Sequence, residues 1–259
     1  MRNTPHNGSR VCHPSFGRGG SAWHLISAGV LAAIFGIGLL LGPVGPTGAA
    51  TVSAPHAPQP SVVARAKGTI VSIFSSPTAR SATEVLRSPT SVGAPLVFLV
   101  TDISRYPNWL RVELPSRPNQ SQGWIHAGAV TLSSDGYVVS VHLVSHVLDV
   151  TFNGRLALST SIGEGRSVLP TPTGTYYIVD LLKQPNPNGE YGPYAFGLSA
   201  FSDVLYSFGG GPGEIGIHGT DEPSSIGVSV SHGCIRVPNV TIAKLARILP
   251  LGTPVNIDH

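Results

Sequence analysis

Much of the chain after residue 60 repeats a two-residue rhythm of apolar and polar positions. Thr69–Phe74, Trp109–Leu114 and Gly123–His126 alternate and are rich in β-branched and aromatic residues, the pattern of strands with one buried face. Leu96–Val100 is a continuous apolar run of strand length. Pro77, Pro89, Pro95, Pro107, Pro115 and Pro118 punctuate these runs and mark turns. The spacing predicts a small β module, barrel-like, over residues 61–133. Trp109 and Trp124 are read as core residues of that barrel, the alternative being an exposed aromatic platform for a glycan or a peptide.

The rhythm resumes at Tyr137–Leu143 and Val147–Phe152. Asn153-Gly154 then forms a hairpin turn signal before the return run Arg155–Thr160. Thr171-Pro172-Thr173-Gly174-Thr175 is a turn feeding another strand at Tyr176–Val179. Residues 184–214 are rich in Gly and Tyr with little periodicity, and read as a long loop or flap. The helical spacing of Ile242, Leu245, Ala246 and Leu249 predicts one short helix over Val240–Leu249. Residues 136–259 are therefore expected to be a second, mainly β domain, with no alternating strand–helix pattern.

Leu25–Leu41 breaks with everything after it. It is an uncharged, mostly apolar run of about the minimum length for a membrane-spanning helix. Arg2, Arg10 and Arg18 precede it, which orients the N-terminus to the cytoplasm and the rest outside. The expected order is a basic leader over 1–24, a signal-peptide or anchor helix over 25–44, and a Pro/Ala-rich linker over 45–60. Small residues near Gly48–Ala54 suit cleavage, whereas the long leader suits a retained anchor. The chain is thus expected in the cell envelope, either anchored in the membrane or secreted.

Charge follows the same segmentation. Residues 61–130 carry seven Lys/Arg against three acids, and residues 131–259 six against ten. Charged residues make up only 11% of the 259, and no dense basic face of the kind nucleic acid requires is present. The two cysteines, Cys12 and Cys234, flank the apolar run. They would lie on opposite sides of a membrane, leaving Cys234 an unpaired thiol in an exported domain.

The chemistry concentrates in Ile217-His218-Gly219-Thr220 and Val230-Ser231-His232-Gly233-Cys234-Ile235-Arg236. A free thiol is mostly protonated at neutral pH, so a nucleophilic cysteine needs a base. His218 is better placed than His232, which is too close in sequence to face the thiol from an extended backbone. Glycines beside such residues let the backbone turn and let amides approach a developing oxyanion. Two other readings stand beside this one. Cys234 could be a small buried hydrophobe. His218, His232 and Cys234, with Asp221 or Glu222 nearby, could form a zinc site. Arg236 could act in the site or form a structural ion pair.

His-Gly-Thr followed by Ser-His-Gly-Cys-Ile-Arg-Val-Pro-Asn resembles the signature of the L,D-transpeptidases, the YkuD-type family, and Thr171–Ile178 is similar to the turn and strand before it. The stretch from Trp109 to Ile125 resembles the bacterial SH3-like modules of exported wall enzymes. These resemblances imply an SH3-like β-barrel followed by a β-sandwich-like catalytic domain. They imply Cys234 as nucleophile and His218 as proton donor and acceptor, its ring held by a main-chain carbonyl near Gly219. Ser231, His232 and Gly233 would shape an oxyanion hole, with Gly219, Thr220 and Arg236 in support and Asn239 bracing the loop. The implied reaction is transfer of a peptidoglycan stem tetrapeptide through a Cys thioester to an acceptor amine, forming 3→3 cross-links. Carbapenem-type inhibition and no metal or organic cofactor are implied as well. The alternatives are a wall-binding protein with a degenerate catalytic domain, an L,D-carboxypeptidase, and a ligase joining another protein to the wall.

Overall fold

The computed structural model describes residues 59–103, 105–208 and 210–259. The leader, the apolar run expected to form an export or anchor helix, Cys12 and almost all of the linker lie outside the described residues. Among the described residues no helix is long and apolar enough to cross a membrane. The described residues belong to one compact unit.

The first part of this unit contains β1 (Ser61–Ala66), β2 (Ile70–Ile73), β3 (Glu84–Arg87), β4 (Val97–Asp102), β5 (Trp109–Glu113), β6 (Gln122–His126) and β7 (Val130–Asp135). Five of these form a sheet in the order β6-β5-β4-β1-β7, and β2 and β3 form a hairpin. Alternation sends Ala64, Phe98, Leu110, Val112 and Ile125 to one side, where Val71 and Ile73 of the hairpin cover them. The strands over 69–74, 96–100, 109–114 and 123–126 are therefore found within a residue or two of their expected limits. β1, β3 and β7 have weaker patterns and become strands by pairing.

The tryptophans depart from the expected core role. Trp109 and Trp124 stand on the face opposite that core and are only half-buried. Trp109 lies against His126 with ring centroids 3.9 Å apart and meets Phe74 edge-on at 5.1 Å. Tyr106 meets Trp124 edge-on at 5.2 Å. The register explains this: Trp109 pairs with His126 and Arg111 with Trp124, so all four share a face, while Leu110 and Ile125 between them take the core.

Gly136 alone separates β7 from β8 (Tyr137–His142). The rest comprises β9 (Val147–Phe152), β10 (Arg155–Ser161), β11 (Glu164–Gly165), β12 (Gly174–Lys183), β13 (Tyr194–Phe201), β14 (Glu214–His218), β15 (Ser229–Ser231), β16 (Ile235–Arg236), the helix α1 (Asn239–Ile248) and β17 (Pro254–Asp258). Eight strands form a mixed sheet in the order β10-β9-β8-β17-β12-β13-β14-β16, and β11 pairs with β15 in parallel. The β9–β10 hairpin turns at Asn153-Gly154, both at positive φ, as the dipeptide predicts. α1 lays Ile242 and Leu245 into the large core beside Val139, Ile178, Phe196 and Ile217.

The expected long flap over 184–214 is two shorter loops, 184–193 and 202–213, with β13 between them. Tyr194–Phe201 is covered on both faces. Such a strand lacks alternation, and its Gly and Tyr residues hide it from a periodicity reading.

The two sheets pack directly. Val63, Val97, Leu99 and Tyr177 form a shared cluster. Glu113 is buried where they meet and accepts a 3.0 Å hydrogen bond from Ser199 Oγ, while its main-chain carbonyl accepts one from Tyr177 Oη. Thr253 Oγ1 donates to Asp135 Oδ2 at 2.6 Å beside the chain crossing.

Candidate active site

The site lies at the far edge of the large sheet, where β14 and β16 run parallel. Ile217 pairs with Ile235 and His218 with Arg236. One step back along the ladder brings Gly216 beside Cys234, and the Gly216 N–H donates to Cys234 Sγ at 3.3 Å. Side chains alternate along a strand, so His218, two residues beyond Gly216, projects from the face that carries the sulfur. The two motifs, 16 residues apart in sequence, are joined by strand pairing.

Both groups are buried, Cys234 at 0% and His218 at 1% exposure. His218 Nδ1 lies 2.6 Å from the Gly219 carbonyl oxygen. A carbonyl can only accept, so Nδ1 carries the proton and neutral Nε2 keeps a lone pair. Nε2 is buried with no hydrogen-bond partner among the described residues. Burial pushes the His218 pKa down to about 4; the Gly219 bond opposes that shift, and the Arg236 charge adds to it. The imidazole is therefore neutral at physiological pH, as a proton acceptor must be.

The turn that presents Cys234 is braced from inside. Ser231 Oγ donates to the Cys234 carbonyl at 2.6 Å and accepts from the Gly233 N–H at 3.0 Å. Thr171 Oγ1 donates to the Gly233 carbonyl at 2.8 Å and accepts from the Gly165 N–H at 3.0 Å. Gly233 has φ +117°, a region that excludes most side chains, and a Cβ there would stand 3.0 Å from Ile215 Cδ1. His232 is nearly buried and its ring lies 5.4 Å from that of Phe208.

A second brace holds the His218 side. Asn239 Oδ1 accepts from the Thr220 N–H at 2.8 Å, and Thr220 Oγ1 accepts from the Glu222 N–H at 3.0 Å. A Cβ on Gly219 or on Gly192 would collide with Asn239 Oδ1, so both glycines permit this close packing. Tyr191 brings its ring 4.9 Å from that of His218. Arg236 pairs with Glu222 through a 3.0 Å bond between Nη1 and Oε2, and its side chain is only 4% exposed. Among the described residues no group of His, Cys, Asp and Glu is arranged to hold a metal ion, and Glu222 is committed to Arg236.

The structure thus brings together Cys234, His218, Gly219, Thr220, Ser231, His232, Gly233 and Arg236. It adds Gly216, Tyr191, Phe208, Thr171 and Glu222. No local motif marked Gly216, Tyr191 or Phe208, the last two lying in the segment read as a flap; Thr171 lay in the turn that resembles the family's, and Glu222 was offered only as a neighbour of a zinc site, not as the partner of Arg236. Chemically, a neutral imidazole with a lone pair on Nε2, carried on the strand whose Gly216 amide meets the sulfur, is suited to accept a proton.

The family model for the L,D-transpeptidase catalytic domain, YkuD, matches residues 136–257. The chain is 37% identical over 123 residues to Bacillus subtilis YkuD, a protein named as a candidate L,D-transpeptidase, covering 48% of this chain and 66% of that one. It is 32% identical over 136 residues to YqjB of the same organism, likewise named, covering 50% of this chain and 75% of that one. An Enterococcus faecium L,D-transpeptidase of known structure is similar at 24% identity with a TM-score of 0.37, over 48% of this chain and 50% of that one. The match therefore spans just under two thirds of YkuD and half of the Enterococcus protein.

Proposed function

Because the chain belongs to the L,D-transpeptidase family, we propose that it cross-links peptidoglycan stem peptides by acyl transfer through Cys234. The observation that carries this reading is the Gly216 amide on the sulfur, with the unpartnered Nε2 of His218 on the same strand pair.

In this reading His218 Nε2 takes the thiol proton. The thiolate attacks the carbonyl of the third stem residue, where that residue is joined to a terminal D-amino acid. Backbone N–H groups of the turn at Ser231, His232, Gly233 and Cys234, which Ser231 Oγ braces through the Gly233 N–H, stabilise the oxyanion from the positions that brace leaves open. The C–N bond breaks, and the departing D-residue amine takes the proton from the His218 imidazolium. A thioester on Cys234 remains. The side-chain amine of a second stem then attacks it and loses a proton to His218, and the thiolate leaves. A 3→3 link results. Water in place of the amine gives carboxypeptidase action. The buried sulfur and the aromatic rings of Tyr191 and Phe208 favour the amine by limiting water.

The same reading places the domain outside the cytoplasm, held by or released from the 25–44 segment, with residues 61–133 as an SH3-like module and residues 136–259 as the catalytic domain. Carbapenem-type compounds are expected to acylate Cys234. The test is incubation of the protein with tetrapeptide stems and, separately, a carbapenem. The reading expects cross-linked product, and a covalent mass shift that disappears in Cys234→Ala. No adduct on the wild-type protein would defeat it. Tripeptide and free D-residue alone, with an acceptor amine present, would favour hydrolysis.

A further inference from the structure

Between β13 and β14 the chain makes the loop 202–213, and a side chain from the other sheet occupies its base. Arg117, in the β5–β6 connection, donates from Nη1 to the Ser202 carbonyl at 2.8 Å. Its Nη2 donates to the carbonyls of Leu205 at 3.0 Å and Pro212 at 3.1 Å. One guanidinium thus ties both arms of the loop. Its carbon also lies 5.1 Å from the Phe201 ring centre and 4.7 Å from that of Tyr206. Asn119, two residues on, grips Phe201 in strand fashion, accepting its N–H at 2.9 Å and donating to its carbonyl at 2.8 Å. Gly213 permits the closure: at φ +74° a Cβ there would collide with the Leu205 carbonyl oxygen and stand 3.3 Å from Arg117 Nη2.

This loop leads into the site at both of its working points. Phe208 near its tip, bridged to Gly211, places its ring against His232. Its exit arm becomes β14, in which Gly216, three residues after Gly213, donates to the Cys234 sulfur. An arginine is suited to this role because its planar fork serves several carbonyls at once while its faces stack on rings. Lysine would offer a point charge and no stacking plane.

We propose that Arg117 is a positioning residue for the acyl-transfer site: through the loop 202–213 it sets Phe208 against His232 and the start of β14 against Cys234, so the first sheet is part of the active-site architecture. Its catalytic consequence rests on the transpeptidase reading above; its effect on access to the thiol does not.

The test uses the full chain and measures alkylation of Cys234 by iodoacetamide, read by mass mapping, together with stem-peptide transfer. Arg117→Ala is expected to raise Cys234 alkylation about tenfold and to lower kcat/KM about tenfold, chiefly through KM, as fits lost charge-assisted bonds and lost positioning. Phe208→Ala should do the same, and the double variant should do no more than either alone, since the two residues act in one chain of contacts. Tyr206→Ala, at a ring 73% exposed and therefore safe for folding, should shift both readouts in the same direction by a smaller factor. Arg117→Lys should fail to restore the wild-type values. Unchanged alkylation in folded Arg117→Ala and Tyr206→Ala, or additive effects in the double variant, would overturn the proposal. A wild-type protein that transfers nothing would defeat the transpeptidase reading, while the alkylation rates would still decide the role of Arg117.

Discussion

The amide of Gly216 donates to the sulfur of Cys234 across 3.3 Å, from the neighbouring strand of a parallel pair. This bond ties the thiol to the strand that carries His218, and so makes the Cys–His relationship a matter of strand register. An error of one residue in that register would turn the imidazole to the opposite face of the sheet.

Replacing His218 by Gln preserves a donor toward the Gly219 carbonyl but removes the proton acceptor. Carbapenem acylation of Cys234 in His218→Gln is expected to slow by about 10²- to 10⁴-fold, the usual contribution of general-base catalysis. In the wild-type protein burial holds the imidazole pKa down to about 4. The acid limb of the acylation rate should therefore lie near pH 4, well below the ordinary histidine range. Stopped-flow acylation across pH 3.5–8 checks both; an acid limb near 6.5 would contradict the buried, neutral imidazole.

Gly233→Ala puts a Cβ at φ +117° and against Ile215 Cδ1. The backbone strain alone costs about 1–3 kcal/mol. The turn must shift, and Cys234 follows Gly233 directly. Lower stability in urea, together with a larger loss in acylation rate than in stem-peptide binding, is the expected result.

Asn239→Ala deletes the acceptor for the Thr220 amide. Leaving a buried donor unpaired costs about 1–3 kcal/mol. Asn239→Asp keeps the acceptor oxygen and should recover most of that loss. Chemical denaturation of the three proteins compares them directly.

Glu113 is buried between the sheets, and burial pushes its pKa up to about 7, partly opposed by the Ser199 hydrogen bond. Glu214 is likewise raised by burial, to about 8, with the Asp180 charge adding to the shift. Between the ordinary carboxyl range and these values the folded protein holds more protons than the unfolded chain. Stability contributed by the neutral carboxyls is therefore present at low pH and is lost as pH rises from about 4.5 toward 8. His218 works in the opposite sense below pH 6.5, because the unfolded chain binds its proton first. Two carboxyls outweigh one imidazole, so the melting temperature is expected to fall as pH rises from about 4.5 to 7. Glu113→Gln, which can still accept from Ser199 Oγ, should flatten the fall between pH 5 and 7. A decline as steep in Glu113→Gln as in the wild type would refute the assignment.

Short-range patterns made much of this molecule legible. The Asn153-Gly154 hairpin, the alternating strands β5, β6, β8 and β9 and the face of α1 are local signals, each written within a dozen residues. So was the pairing of a His-Gly-Thr motif with Ser-His-Gly-Cys-Ile-Arg, because glycine and reactive side chains at close spacing have few other uses. β13 escaped because burial on both faces erases alternation. Trp109 and Trp124 were assigned to the wrong face because alternation alone does not say which side of a strand becomes the core; the packing of the β2–β3 hairpin decided that.

What the sequence by itself determined is the kind of protein this is: a mainly β chain carrying one thiol and two histidines within a specific pair of motifs. What only the tertiary structure decided is where the environment of that thiol comes from. The amide on the sulfur, the rings of Tyr191 and Phe208 beside the two histidines, and the grip of Arg117 on the loop 202–213 join residues up to 95 positions apart. Contacts of that range leave no local pattern, because they are set by strand order and by the packing of one sheet on another.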